Sequence, residues 1–275
     1  MAEAGDAAAQ NWLGVMYQNG RGIALDYTEA AKWYGMAAQQ GHADAQNNLG
    51  WMFQNGMGVP QDDVTAAQWY YSAAQQGHAA AQCNLGWMYQ NGEGVAQNNE
   101  EALKWYYKSA QQDYAPAQNN LGWMYQNGQG VPQDDMEAVQ WYKKAAQHGN
   151  ADAQNNLGWM YLNGKGVPQN DTEAVKWYHH AAEHGHAAAQ NNLGWRYQHG
   201  KGVPQDYTQA IKWYRKAAEQ GHAVAQNNLG LMYSKGLQDY AEAARWFLKA
   251  AEQGISTAQY NMGKIHQQAR GDERQ

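Results

Sequence analysis

Residues 43–78 read ADAQNNLGWMFQNGMGVPQDDVTAAQWYYSAAQQGH, and this stretch decides the fold. Ala45, Leu49, Met52 and Phe53 recur at helical spacing, and at about 100° per residue they share one face. Asn55-Gly56 ends this first helix near Asn55, because glycine readily takes the left-handed conformation a helix terminus needs. Pro60 blocks continuation. A second helix starts near Asp62 and ends at Gly77. On it Ala66, Ala67, Trp69, Tyr70, Ala73 and Ala74 fall within an arc of about 160°. Large rings beside alanines let neighbouring helices approach and interlock, which makes the Trp-Tyr pairs core.

The unit is repeated. Ala-x-Ala-Gln begins at Ala7, Ala43, Ala79, Ala115, Ala151, Ala187 and Ala223, each step being 43 − 7 = 36 residues. The expected organisation is one all-α domain over 1–275, a right-handed superhelical solenoid of helix–turn–helix repeats. Its repeats are 7–42, 43–78, 79–114, 115–150, 151–186, 187–222 and 223–255, with a partial capping repeat 256–269 and a tail 270–275. The seventh repeat is about three residues shorter, the loss falling in the Gly-Val-Pro loop. An Asp or Asn followed three residues later by Glu or Gln opens several second helices. Asp26 with Glu29, Asn98 with Glu101, Asn170 with Glu173, Asp206 with Gln209 and Asp239 with Glu242 are capping-box pairs, in which each side chain satisfies a free backbone N–H. Ala2-Glu3-Ala4-Gly5 aligns with Ala218-Glu219-Gln220-Gly221, so the chain opens in the middle of a repeat and Met1 is expected to be a truncation boundary.

Composition narrows the function. With 44% apolar residues the chain can bury a core, and with a formal net charge of −6 it has no basic excess for a nucleic-acid backbone. No nucleic-acid partner is expected. No apolar run approaches the roughly 18 residues of a membrane span, and no signal peptide is visible. With a truncation expected at Met1, periplasmic or secreted locations stay open. Cys83 is the single cysteine, so no internal disulfide framework exists.

The phrases Ala-x-Ala-Gln-x-Asn-Leu-Gly-x-Met-Tyr, Asn-Gly-x-Gly-Val-Pro, Glu-Ala-x-x-Trp-Tyr and Ala-Ala-x-x-Gly-His resemble the Sel-one-like repeat, a relative of the tetratricopeptide repeat, over about residues 2 to 269. The resemblance implies a right-handed superhelix whose first helices line the concave side. It also implies an adaptor of the kind found in bacterial signalling, host contact and protein quality control. The chain departs from the disulfide-rich bacterial relatives, so nothing tied to disulfides carries over.

The residue pattern then points to a ligand surface. Trp51 lies opposite the apolar face of its helix, and a Trp recurs there at Trp87, Trp123, Trp159 and Trp195, flanked by Val15 and Leu231 in the outer units. Each Trp can bury roughly 150–250 Å², and five exceed the roughly 300–600 Å² of the largest apolar patch on a typical monomer. Asn47, Asn119, Asn155, Asn191, Gln54, Gln90, Gln126 and Gln198 share the stripe. Packed helices lie about 8–10 Å apart, and a polyproline-type peptide advances about 9 Å per turn. The expectation is a groove that binds an extended peptide or protein segment, with Trp as anchors and amides bonding its backbone. A glycan stacked on the Trp faces is the alternative ligand, and mutual packing that only stiffens the superhelix is the alternative role. The Asn series Asn48, Asn84, Asn120, Asn156, Asn192 and Asn228 is read as structural.

No catalytic residue, metal ligand or cofactor is assigned. Ser72, Ser109, Ser234 and Ser256 lie in no nucleophile motif, and Cys83 reads as a substituted Asn position. Gly164-Lys165 and Gly200-Lys201 lack the spacing of a phosphate loop. His180 and His184 are one helical turn apart, but no Cys or carboxylate completes a metal set, so His179, His180, His184 and His186 read as outer-face residues. Arg270-Gly271-Asp272 resembles an adhesion tripeptide by chance.

Overall fold

The computed structural model describes residue 2 and residues 5–272. Met1, Glu3, Ala4 and residues 273–275 lie outside the described residues, and with them much of the expected amino-terminal boundary and the end of the tail. The chain is all-α. The helices are α1 (Ala7–Asn19), α2 (Tyr27–Gln39), α3 (Ala43–Asn55), α4 (Asp63–Gln75), α5 (Ala79–Asn91), α6 (Asn99–Ala110), α7 (Ala115–Asn127), α8 (Asp135–Gln147), α9 (Ala151–Asn163), α10 (Asp171–Glu183), α11 (Ala187–His199), α12 (Tyr207–Glu219), α13 (Ala223–Leu231), α14 (Tyr240–Glu252) and α15 (Ser256–Asp272). A π-helical turn, Met232–Leu237, follows α13. They form two compact units, Met1–His148 and Gly149–Gln275. Within each unit every helix packs on the next in sequence, the architecture of a helix-pair solenoid.

Each odd-numbered helix from α1 to α11 ends on a left-handed glycine; Gly56, with φ of 64°, donates its N–H to the Met52 carbonyl. The second glycine of the loop has a different task. A Cβ at Gly58, Gly94, Gly130 or Gly202 would collide with the backbone that opens the preceding repeat's second helix, at Tyr27, Asp63, Asn99 and Asp171. The Gly-x-Gly loop thus seats one repeat on the one before it.

The core is built between repeats. Tyr70 and Ala74 of α4, Leu85 and Met88 of α5, and Trp105 of α6 form one buried cluster. Tyr34, Tyr70, Tyr106, Tyr142, Tyr178 and Tyr214 are at most 1% exposed. Each of these rings lies against a helical glycine; a Cβ at Gly50, Gly122 or Gly194 would come within 2.6–2.9 Å of the facing ring carbons. The Trp-Tyr pairs are therefore core, as their spacing indicated, with tyrosine the deeper member.

Half of each capping box forms. Asp26 accepts from Thr28 and Glu29 N–H, and Asn98 accepts from Glu100 and Glu101 N–H. The reciprocal bond does not, because the cap's own N–H is already donated to a first-helix carbonyl: Asp26 to Tyr17, Asn98 to Tyr89, Asp206 to Tyr197. The glutamates turn instead to lysines one turn on, Glu29 to Lys32 and Glu101 to Lys104.

Candidate functional site

The surface in question is the outer side of the first helices. Gly50 and its equivalents turn one side of each helix into the core, and at 100° per residue the following Trp is carried away from it. Trp51, Trp87 and Trp123 in one unit, and Trp159 and Trp195 in the other, are 37–41% exposed. Their stems are held by helix ends: Asn55, Asn91, Asn127 and Asn163 donate to the carbonyls of Trp51, Trp87, Trp123 and Trp159 at 2.8–2.9 Å.

Amide side chains join the repeats beside these rings. Asn84 donates to Asn47 Oδ1 at 3.1 Å, Asn192 to Asn155 at 3.3 Å and Asn228 to Asn191 at 3.0 Å. The series read as structural is the donor, and the series assigned to the ligand is its acceptor. The Oδ1 atoms of Asn47, Asn155 and Asn191 are thus engaged within the protein, which leaves their amide N–H groups for a ligand. Cys83 stands where Asn47 stands and accepts from Asn120 at 3.7 Å; burial pushes its thiol up to about 12, so it is neither a thiolate nor a nucleophile. The glutamines are committed in the same way. Gln54, Gln90, Gln126 and Gln198 accept from the buried phenols of Tyr70, Tyr106, Tyr142 and Tyr214 at 2.6–2.8 Å. Burial pushes these phenols above the usual tyrosine range, so they stay protonated and the glutamine oxygen accepts. The amide nitrogen takes no part in that bond.

Between α5 and α7 these groups enclose a cleft of about 320 Å³, lined by Trp87, Gln90, Asn91, Asn119, Asn120 and Trp123. Trp195 is different: His199 stacks on it at 4.2 Å, and the Arg196 guanidinium lies 4.6 Å from its ring centre. Its faces are partly covered by its own repeat. Trp12 was not assigned from sequence, yet it is 61% exposed on α1. It sits three residues before Val15, on the same side of the helix by the i, i+3 rule, and that spacing was the available signal.

Two further repeated roles escaped the sequence. The Gln of Ala-x-Ala-Gln is a buried clamp: Gln46 donates to Ala38 O at 3.1 Å and accepts from Gln76 at 2.8 Å, tying three helices. The His of Gly-His is an N-cap, with Nδ1 of His42, His78, His186 and His222 accepting from Ala45, Ala81, Ala189 and Ala225 N–H at 3.1–3.3 Å. Asn150, a common N-cap residue, stands at the same repeat position and bonds Ala153; that equivalence was the signal.

Several of the serines and histidines weighed in the sequence have local partners. Ser72, Ser109 and Ser234 hydroxyls donate to the carbonyls of Gln68, Ala79 and Leu231. His184 Nδ1 bonds the His180 carbonyl, and His179 pairs with Glu183 at 3.4 Å. Among the described residues no group of three His, Cys, Asp or Glu side chains could hold a metal ion, and no helix is long and apolar enough to cross a membrane.

The Sel1 repeat model matches residues 7–42, 43–78, 79–114, 115–150, 151–186, 187–222, 223–255 and 256–274. Among solved structures, the chain is similar to c5321, described as a protective antigen present in uropathogenic Escherichia coli strains displaying an SLR fold. Identity is 38% and the TM-score 0.70, over 97% of this chain and 66% of that one. It is also similar to a Sel1 repeat protein from Oxalobacter formigenes, with 36% identity and a TM-score of 0.79 over 96% of this chain and 77% of that one. The immunity protein Pa5087 from Pseudomonas aeruginosa, 23% identical with a TM-score of 0.51 over 81% of each chain, shares the fold. Comparison with curated proteins gives no match.

Proposed function

The chain belongs to the Sel1 repeat family, whose members generally mediate protein–protein interactions and are generally non-catalytic scaffolds; on that premise we propose that its first-helix face binds an extended peptide or protein segment. The observation that carries this reading is the Trp87–Trp123 cleft, where two partly exposed indoles flank the amide side chains of Gln90, Asn91, Asn119 and Asn120. The indoles supply apolar anchoring, and the amide N–H groups of Gln90, with the second N–H of Asn91 left over from its bond to the Trp87 carbonyl, donate to the carbonyls of a passing backbone. Trp51, Trp159 and the partly covered Trp195, with Asn47, Asn119, Asn155, Asn191, Gln54, Gln126 and Gln198, extend the same pattern along each unit.

Magnitudes favour several rungs acting together. The exposed part of one indole corresponds to about 2 kcal/mol of burial, less than the several kcal/mol that association costs. A single rung therefore does not bind, whereas neighbouring rungs do.

The test is a peptide array and a glycan array probed with the native chain and with a W87A/W123A variant of equal helicity and melting temperature. The reading expects peptides retained by the native chain and lost by the variant. Retention of sugars, lost by the same variant, establishes a glycan site instead. Equal retention of peptides by both proteins removes the rungs from the binding surface.

A further inference from the structure

The cleft between α5 and α7 has a counterpart one unit away, and its chemistry is changed. Counting forward 144 residues, Trp87, Gln90 and Asn91 become Leu231, Ser234 and Lys235; past the three-residue deletion, Asn120 and Trp123 become Asn261 and Lys264. These five line a cleft of about 380 Å³ between the π-helical turn and α15, with Gln238 beside them. Both indoles of the earlier step are gone: Leu231 and Lys264 stand in their places and Lys235 in that of Asn91, both lysines exposed, with Tyr240 and Phe247 lining the same cleft. No carboxylate lines the cleft among the described residues, and neither lysine forms an ion pair there. This sets them apart from Lys32, Lys104 and Lys176, each bonded to a glutamate. The Lys264 amino group lies 4.7 Å from the centre of the Tyr260 ring, which holds it at the rim. Two of the neutral groups are spent: Ser234 donates to the Leu231 carbonyl, and Asn261 to Asn227 Oδ1 at 3.3 Å, while Gln238 and the Tyr240 phenol also line the cleft. The charge of the step therefore comes from its two ammonium groups, in a chain of net charge −6.

A second cavity adjoins it, sharing Leu231 and Lys235. It measures about 520 Å³ and is lined by Tyr207, Ile211, Met232 and Leu237. Its origin is the short seventh repeat. Elsewhere the loop's second glycine seats on the first backbone group of the preceding second helix, as Gly202 does on Asp171. The seventh loop lacks that glycine, so Tyr207 stays 55% exposed and the space over Ile211 remains open.

We propose that this pair of cavities is a carboxylate site, in which Lys235 and Lys264 hold an anionic carboxyl group of a peptide while an adjoining apolar side chain enters the pocket beside Tyr207 and Ile211. It rests on the peptide-binding reading and adds a preference to it. The carboxyl group can be a chain terminus or an Asp or Glu side chain, and the probes separate the two.

The full-length ¹⁵N-labelled chain is titrated with N-acetyl-leucine, with N-acetyl-leucinamide and with N-acetyl-glutamic acid α-amide, while backbone amides are followed by NMR. Expected are shifts confined to residues 207–211, 231–238 and 261–264, at least about tenfold weaker for the leucinamide, lost in K235A/K264A and weakened by added salt. A terminal carboxylate site prefers N-acetyl-leucine; a side-chain site responds as well to the glutamic acid derivative. Equal response to the leucinamide, or shifts spread over other lysines, overturns the proposal. Failure of the two readings is distinguishable: peptides captured through Trp87 and Trp123 without carboxylate preference leave the groove and remove this site. Probe binding here without peptide capture does the reverse.

Discussion

Gly122 shows how a single atom sets the spacing of this fold. A Cβ on it would lie 2.6 Å from a Tyr142 ring carbon, and that ring has no solvent on any side. Gly122→Ala must push the tyrosine off its rotamer or part α7 from α8, an overpacking cost of about 1–3 kcal/mol. Urea unfolding monitored by circular dichroism checks this; an unchanged midpoint refutes the close-approach role. The tyrosine's other end supplies an internal control. Tyr70, Tyr106, Tyr142 and Tyr214 each find a glutamine acceptor. In the seventh repeat both partners change together, to Phe247 and Ser234. The fifth repeat keeps Tyr178 but has Leu162 where the glutamine belongs. Leu162→Gln restores an acceptor, and the expected gain is about 1 kcal/mol in the same measurement. The indoles differ from the phenols here. Buried Trp33, Trp141, Trp177 and Trp213 Nε1 atoms have no hydrogen-bond partner, whereas Trp246 donates to Glu242 at 2.9 Å.

At the scale of an element, α13 carries a proton-dependent cap in His222. His42, His78, His186 and His222 cap their helices through Nδ1, and protonation of His222 would replace that acceptor with a donor. Burial, followed by the charge of His186, holds His222 below the usual histidine range. Its folded pKa is therefore lower than the unfolded value of about 6.5. The unfolded chain binds the proton more readily, so the cap's stability is complete above that value and is lost as pH falls toward the folded pKa. Asp152, held low chiefly by its bond from His186, adds a loss at more acid pH as that carboxylate protonates. Melting temperatures between pH 8 and 5 should fall for the native chain and fall less for His222→Asn, since asparagine caps without titrating. An identical pH profile in the two proteins excludes the proton dependence. Helix limits were legible in the sequence because their causes are local: Gly56 and Pro60 stop a helix whatever surrounds it. The histidine caps and the Gln46 clamp were harder, since a side chain's partner in another helix leaves no mark on adjacent residues. The half-formed capping boxes fail for the same reason, the cap N–H being claimed by Tyr17 or Tyr89 from an earlier helix. Exposure of Trp87 and Trp123 followed from periodicity alone. The engagement of Asn47 and Asn191 by the next repeat did not, because it depends on the stacking distance between helices.

In the whole molecule, stability is local, since each repeat gains its burial from its neighbours. The seventh repeat is where that supply is interrupted. Its loop lacks the seating glycine, its first helix ends in a π-helical turn instead of a glycine cap, and Gln238 takes a left-handed φ of 55°. Non-glycine residues meet a steric penalty there, and the wider, underwound π-turn stands where the three-residue deletion is accommodated. Hydrogen exchange should therefore be faster in α13 and α15 than in α11 and α12 of the same unit. Inserting Gly-Val-Pro after Leu237 makes the segment from Lys235 to Asp239 match His199–Asp206 in length and pattern. Three added loop residues cost a fraction of 1 kcal/mol in closure entropy, whereas covering the exposed half of Tyr207 returns about 1–2 kcal/mol. The balance favours the longer loop: Gly236 should become the helix cap, and protection of α13 amides should rise about tenfold. The same insertion closes the cavity over Ile211, so N-acetyl-leucine binding should weaken as protection increases. Slower exchange with undiminished binding would detach the pocket from the short loop. Faster exchange would mean that the shortened repeat is the better-packed form, and that its π-turn relieves strain.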